Sequence, residues 1–229
     1  MRAMILAAGR GQRMRPLTDH TPKPLLPVAG KPLIVWHIEK LASAGIKDIV
    51  VNNAWLGEQI VQTLGDGSAW GVRIEHSSEE TALETAGGIA SALPHLGAQP
   101  FLVINGDIWC DWPLSQALSI AHDMANDASR LAHLVLVNNP AHHPEGDFAI
   151  SDLGNVQTDG DIKFTFSGIG LYRPALFADV DPYHPTPLAP LLRQAMMAQG
   201  VTGEYFEGAW MDIGTPERLA ELDRSLTTR

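Results

Sequence analysis

Two hydrophobic periods alternate along the first two thirds of the chain. Compact apolar runs at 2–7, 48–53, 72–76, 101–105 and 132–137 read as strands. The segments between them, 32–44, 56–64, 86–93 and 113–126, carry apolar residues three and four apart and read as helices. This alternation predicts an α/β fold of Rossmann-like, three-layer α/β/α type, with a mostly parallel mixed sheet and helices on both faces. Beyond residue 147 the pattern changes. Short alternating strands with Gly146, Gly154, Gly160, Gly168 and Gly170 between or within them fill 147–172, then come a helix at 187–199, short strands near 204–211 and a last helix at 215–226. No repeat, low-complexity tract or linker interrupts this order, so a single domain over 1–229 is expected, with its first part at about 1–110 and its second at about 111–229.

In such a sheet, ligands sit outside the carboxyl ends of the strands, where the order of connection reverses. Two strand ends carry chemistry. The first strand runs into Gly9-Arg10-Gly11-Gln12-Arg13-Met14-Arg15-Pro16-Leu17-Thr18 and then Thr21-Pro22-Lys23-Pro24. This is not a Walker A loop, because Lys23 lies well beyond the glycines, and Met14 breaks the dinucleotide pattern. What remains is a proline-stiffened loop that can grip phosphates with backbone N–H groups and guanidinium forks while delivering Lys23 from outside. The second strand end is Phe101-Leu102-Val103-Ile104-Asn105, which stops at Gly106-Asp107. An aspartate there suits a hard cation such as Mg²⁺, and it could instead cap the helix predicted from 113. Asp212, in Trp210-Met211-Asp212-Ile213-Gly214, is the candidate second ligand, since Thr215-Pro216 is better placed to start the last helix.

Composition narrows the partners. The formal charge of −10 argues against nucleic acid, yet Arg2, Arg10, Arg13, Arg15, Lys23 and Lys31 share their stretch with one acid, Asp19. That local excess fits a small polyanion. No apolar run approaches a membrane span, the N-terminus leads into a strand, and Cys110 stands alone, so a cytoplasmic protein without internal disulfides is expected, with a monomer as the default.

Leu6-Ala7-Ala8-Gly9-x-Gly11-x-Arg13-Met14-x-Pro16-Leu17-Thr18, Pro22-Lys23-Pro24 and Pro27-Val28-Ala29-Gly30-Lys31-Pro32 together resemble the signature of the sugar-1-phosphate nucleotidyltransferases. The resemblance continues through Asn105-Gly106-Asp107 and Trp210-Met211-Asp212-Ile213-Gly214-Thr215-Pro216. It implies attack by a sugar 1-phosphate on the α-phosphorus of a nucleoside triphosphate, with pyrophosphate leaving. It assigns the β/γ-phosphates to Arg13, α-phosphate charge to Lys23, and Mg²⁺ to Asp107 and Asp212. It implies nucleotide contacts from Leu6, Ala7, Ala8, Gly9, Gly11, Gln12, Arg13 and Lys23, with Glu79, Leu83 and Thr85 on the base side; Thr85 could equally be a helix cap. Sugar contacts are expected from Asn105, Asn138, Gly146, Asp147 and Ser167, and Trp109 is placed to line that site. Finer details, such as Leu83-Glu84-Thr85 and Phe166-Ser167-Gly168-Ile169, imply UTP and N-acetylmuramic acid 1-phosphate as substrates, with mannose, glucose or heptose 1-phosphate and GTP as alternatives. Three positions depart from the family pattern. Gln12 stands where serine or threonine is usual, Glu84 where glycine is usual, and Asp161-Ile162-Lys163 where many relatives carry Glu-Lys-Pro. A glycosyltransferase or a non-catalytic nucleotide sensor are the competing classes. The first usually needs a tight Asp-x-Asp, which Asp107-Ile108-Trp109 lacks, and the second could lose the metal carboxylates, which are present.

Overall fold

The computed structural model describes residues 1–228. Strand β1 (Arg2–Leu6) feeds a long loop with one-turn 3-10 helices at Gln12–Met14, Leu17–Asp19 and Lys23–Leu25, then the short hairpin β2 (Pro27–Val28) and β3 (Lys31–Pro32). There follow α1 (Leu33–Ser43), β4 (Asp48–Asn53), α2 (Gly57–Leu64), β5 (Arg73–Ser78), α3 (Glu84–Leu96), β6 (Phe101–Asn105), β7 (Ile108–Cys110) and α4 (Gln116–Asn126). The chain continues through β8 (Ala132–Val137), β9 (Ala149–Ile150), β10 (Val156–Gln157), β11 (Thr165–Tyr172), α5 (Leu188–Met197), β12 (Val201–Phe206), β13 (Trp210–Asp212) and α6 (Pro216–Thr227).

Seven strands form the central sheet in the order β12-β8-β11-β6-β1-β4-β5. Every pairing is parallel except the two made by β11, which runs antiparallel between β6 and β8. The sheet is therefore mixed and mostly parallel, as the alternation predicts. The connection order reverses at β1: the chain leaves it for β4 on one side and later returns through β6 on the other. The crevice between the carboxyl ends of β1 and β6 is thus the topological switch point, and both chemistry-bearing strand ends open onto it.

Alternation along the strands splits the core between the two faces. Ala3, Ile5, Leu102 and Ile104 pack with Ile34, Ile38 and Leu41 of α1 and Ala117 and Met124 of α4. Met4, Phe101 and Val103 pack on the other face with Ile89 and Ala92 of α3 and Leu188 and Leu192 of α5. A third cluster matters most for the site. Met14, buried in the loop after β1, packs with Leu26, Val28, Leu33, Trp109, Ile213, Leu219 and Leu222, so α6 and the β13 end clamp that loop from below.

Element ends differ from the sequence expectation where local chemistry intervenes. Helix α3 begins at Glu84 and runs through Pro94, because the proline falls in the last turn, where the buried Leu96 and the Gly97 cap, donating to Leu93 O, still close the helix. Helix α4 starts at Gln116 after a turn over Pro113, with Ser115 at the cap position, so Asp107 caps nothing there. Thr215 does cap α6: its hydroxyl accepts the N–H of Arg218, with Pro216 at the first helical position. Among the described residues, no helix is long and apolar enough to cross a membrane.

Two histidines, the buried His37 and the half-buried His133, make the fold acid-sensitive. Burial, reinforced by Lys40, lowers the pKa of His37 to about 4, and burial, reinforced by Arg130, does the same for His133, whose Nδ1 lies 2.9 Å from Thr202 Oγ1. A histidine held neutral in the folded state binds fewer protons than its unfolded counterpart between the folded pKa near 4 and the unfolded value near 6.5. Stability therefore falls as pH drops through that window, by up to about 1.4 kcal/mol per pH unit for each histidine. Denaturant unfolding followed from pH 7.5 to 4.5 is expected to show this slope, and His133→Asn should flatten it; a wild-type slope unchanged by that substitution contradicts the assignment.

Candidate active site

The loop after β1 is held by a small set of contacts. Gly11 adopts φ +64, and a Cβ there would lie 3.0 Å from Thr18 Cγ2 and 3.2 Å from Lys23 Cβ, so only glycine lets the loop fold back tightly enough to bring Lys23 inward. Thr18 donates its hydroxyl to Gly11 O at 2.8 Å, while Arg10 and the Trp55 indole both donate to Thr18 O. The Arg10 guanidinium also stacks 3.5 Å from the Trp55 ring centroid. Across the crevice, Gly106 donates its N–H to Leu6 O at 2.8 Å, and a Cβ at Gly106 would sit 2.5 Å from that oxygen. The glycine therefore lets β6 turn flush against β1 and sets Asp107 beside the loop.

The loop's positive charge is largely spoken for. Arg15 pairs with Asp19 at 2.7 Å, Arg10 approaches the same carboxylate at 3.7 Å, and Lys31 pairs with Glu39 while lying over Trp36. Arg2 donates to the carbonyl of His95. Two cations remain for a ligand. Lys23 is 7% exposed and reaches Asp107 Oδ2 at 2.7 Å, and Arg13, which makes no ion pair or hydrogen bond among the described residues, lines the crevice.

The two aspartates arrive together through a ribbon. Strands β7 and β13 pair antiparallel with Asp212 opposite Ile108, and the N–H of Ile213 donates to Asp107 O at 2.7 Å. Asp212 is met by Arg218 at Oδ2 and by His142 Nε2 at 3.1 Å from Oδ1. A Cβ at Gly214 would lie 3.0 Å from Asp212 Oδ2 and 3.2 Å from nitrogens of both Arg13 and Arg218, so this glycine lets the three groups converge. Asp107, on the wall of the crevice with Oδ1 unengaged, is an oxygen donor that suits a hard divalent cation sharing phosphate oxygens, while Asp212, one ribbon strand away, has Arg218 at Oδ2 and His142 at Oδ1.

Two cavities meet at this crevice. The first, about 370 Å³, is lined by the loop from Leu6 to Met14, Lys23, Pro24, Asn52, Ala82, Gly106, Asp107 and Gly214. The second, about 440 Å³, is lined by Asp147, Phe148, Phe166, Arg193 and the start of α5. Glu84, Thr85 and Asn105 belong to both. A model described as nucleotidyl transferase matches residues 2–158.

The chain belongs to the nucleotidyl transferase family. It is 53% identical to an N-acetylmuramate alpha-1-phosphate uridylyltransferase of Neisseria meningitidis, over 96% of each chain. It is 35% identical to a protein of the same name from Caulobacter vibrioides, over 96% of this chain and 97% of that one. A mannose-1-phosphate guanylyltransferase of Mycobacterium tuberculosis is 30% identical over 94% of this chain, which covers 61% of that protein. The fold matches HddC from Yersinia pseudotuberculosis, crystallised with GMP-PN, at TM-score 0.77 and 19% identity, covering 98% of this chain and 99% of that one. It also matches a Bacillus anthracis structure provisionally assigned as a glucose-1-phosphate thymidylyltransferase, at TM-score 0.86 and 21% identity, over 100% and 96%.

The transferase brings most of the sequence-selected nucleotide residues to one cavity wall: Leu6, Ala7, Ala8, Gly9, Gly11, Gln12, Arg13, Lys23 and Thr85 all line it. Glu79 and Leu83 do not. Glu79 is buried, with one oxygen accepting from Asn52 Nδ2 at 2.7 Å and the other from the N–H of Leu83 at 2.9 Å, and Asn52 Oδ1 in turn accepts the N–H of Ala7 at 2.7 Å. This relay fastens the end of β1 to the start of α3 and uses the very groups that base reading would need. Burial raises the Glu79 pKa above the ordinary carboxylate value. Thr85 lies inside α3 and caps nothing, which leaves its side chain on the cavity wall. Glu84, where glycine is usual, takes φ +57, a conformation costing most residues on the order of 1–2 kcal/mol, at the junction of the two cavities.

The expected sugar residues divide. Asn105 and Asp147 line the second cavity, whereas Asn138, Gly146 and Ser167 lie outside its lining. Asn138 accepts from Tyr205, and Gly146, at φ +65, packs against Asn139 and the Lys163 backbone. Ser167 is fully buried, its hydroxyl accepting the N–H of Ile169. Trp109 is also displaced: it is buried edge-on to Trp36 under the loop. Lys163 pairs with Asp159 and lines neither cavity. Asn52, Arg218 and Arg193 give no site reading in sequence, although Asn52, near the end of a buried strand, carries a readable signal; the His142-His143 pair reads as a loop, and the structure sets His142 against Asp212.

Proposed function

We propose that this transferase moves UMP from UTP to N-acetylmuramic acid 1-phosphate, forming the UDP-sugar in the recycling of cell-wall sugars, with Mg²⁺ held by Asp107 and Asp212. The observation that carries the reading is the 53% identity to the Neisseria protein over nearly the whole length of both chains. The paired cavities support it: one carries the cations and backbone N–H groups for a triphosphate, and the other adjoins it across Thr85 and Asn105. An oxygen of the sugar phosphate attacks the α-phosphorus, a new P–O bond forms, and the α–β bridging bond breaks with its electron pair leaving on pyrophosphate. When bound, the metal supplies the positive charge that lets two anions approach. Lys23 neutralises the α-phosphate and steadies Asp107, while Arg13 holds the departing phosphates. Transfer is direct. The one thiol, Cys110, is buried in the ribbon at the end of β7, with its pKa pushed up to about 11 by burial, so it supplies no nucleophile.

Pyrophosphate release across a panel of triphosphates and sugar 1-phosphates tests the reading. UTP with N-acetylmuramic acid 1-phosphate is expected to give the highest kcat/KM, with activity abolished by a chelator and restored by Mg²⁺. A preference for GTP with mannose 1-phosphate would place the chain with the guanylyltransferases instead.

A further inference from the structure

Phe148, Phe166, Leu188 and Leu192 give the second cavity an apolar wall beside the polar Thr85 and Asn105, and the hydroxyls of a hexose have little use for that wall. Three charged side chains also reach this cavity. Asp147 is committed, accepting the N–H of Phe166 at 2.8 Å and lying 3.1 Å from His143 Nε2. Glu84 stands at the junction with the triphosphate cavity. Arg193, one turn into α5, is the only cation of the lining and makes no ion pair or hydrogen bond among the described residues. The wall it belongs to has the same sign, since α5 opens with no acid in its first turn and no side-chain cap.

We infer that Arg193 is a specificity-determining residue that binds a carboxylate on the sugar itself, separate from the sugar's phosphate. This rests on the substrate proposed above and deepens it. N-acetylmuramic acid 1-phosphate differs from N-acetylglucosamine 1-phosphate by one lactyl ether, which adds a methyl group and a carboxylate. The apolar wall accepts the lactyl and acetamido methyl groups, and the guanidinium meets the carboxylate in a charge-assisted fork. A neutral sugar fills the same wall and leaves Arg193 in water, which is how one side chain separates two otherwise matching substrates.

The test is the ratio of kcat/KM for N-acetylmuramic acid 1-phosphate to that for N-acetylglucosamine 1-phosphate, both with UTP. In Arg193→Gln this ratio is expected to fall about 30-fold through KM for the acidic sugar, in keeping with loss of a hydrogen bond to a charged group. Arg193→Glu should fall further, and Arg193→Lys should retain part of the preference. Because activity on the neutral sugar is read in the same enzyme, misfolding lowers both values and leaves the ratio standing. Wild-type enzyme with no preference for the acidic sugar overturns the substrate reading itself. Wild-type preference that persists within threefold in both the Gln and Glu variants overturns the role of Arg193 alone.

Discussion

Asp107→Asn and Asp212→Asn are each expected to lower turnover about 10³-fold while leaving the circular dichroism unchanged, because asparagine keeps the shape and removes the charge that a shared cation needs; loss of the ion pairs to Lys23 and Arg218 should lower the thermal transition of each variant. The backbone already brings these residues together. Asp212 sits opposite Ile108 in the ribbon, and Ile213 donates to the Asp107 carbonyl at 2.7 Å. Asp107 offers Oδ1, since Oδ2 is occupied by Lys23, and Asp212 is held by Arg218 at Oδ2 and by His142 at Oδ1. If the two act as one unit, the double variant is little worse than the worse single one, and both single variants need more Mg²⁺ for half-maximal rate. Losses that multiply, with an unchanged Mg²⁺ requirement, would mean that the aspartates serve separate steps.

How far these groups could be read beforehand depends on where their partners lie in the chain. Strands 48–53, 101–105 and 132–137 coincide with expectation because burial on both faces leaves a run of three or four consecutive apolar residues in each. The loop and Asp107 stand out in the sequence for a related reason: glycine and charge at the end of a buried strand break the apolar pattern abruptly, whereas Asp212 ends a half-buried strand. What escaped was the allocation of charge. Six cations near the N-terminus look equivalent in sequence, yet the partners that retire half of them, Glu39, Trp55 and the carbonyl of His95, come from separate elements. Glu79 illustrates the same limit, since its role as an anchor is set by Asn52, twenty-seven positions away on another strand. On the sugar side, Ser167 was chosen by motif, but the irregular register of β11 between Phe166 and Gly170 leaves its hydroxyl accepting the N–H of Ile169. Arg193 gave no signal at all. An arginine on an amphipathic helix reads as a solvated face, and only the fold sets that face against a cavity.

Lys23→Ala and Arg13→Ala are expected to separate turnover from triphosphate affinity. Lys23 is buried against Asp107, so it approaches the reacting phosphate with its hydration already removed, where charge acts most strongly. Its removal should cut kcat about 10²–10³-fold with a small change in the apparent KM for UTP, because negative charge redistributes around the α-phosphate mainly in the transition state. Lys23→Ala also releases Asp107 from its ion pair and removes a competing positive charge, so the loss of kcat should come without a raised Mg²⁺ requirement. Arg13 is exposed at the mouth of the same cavity and holds phosphates present in both ground and transition states, so Arg13→Ala should raise the KM for UTP about 10-fold and change kcat little. Steady-state kinetics with UTP varied at saturating sugar phosphate decides the matter. Equal, small effects of both substitutions on both parameters would reduce the loop to a charged turn, and a Lys23→Ala defect confined to KM would move that lysine from the reacting centre to ground-state binding.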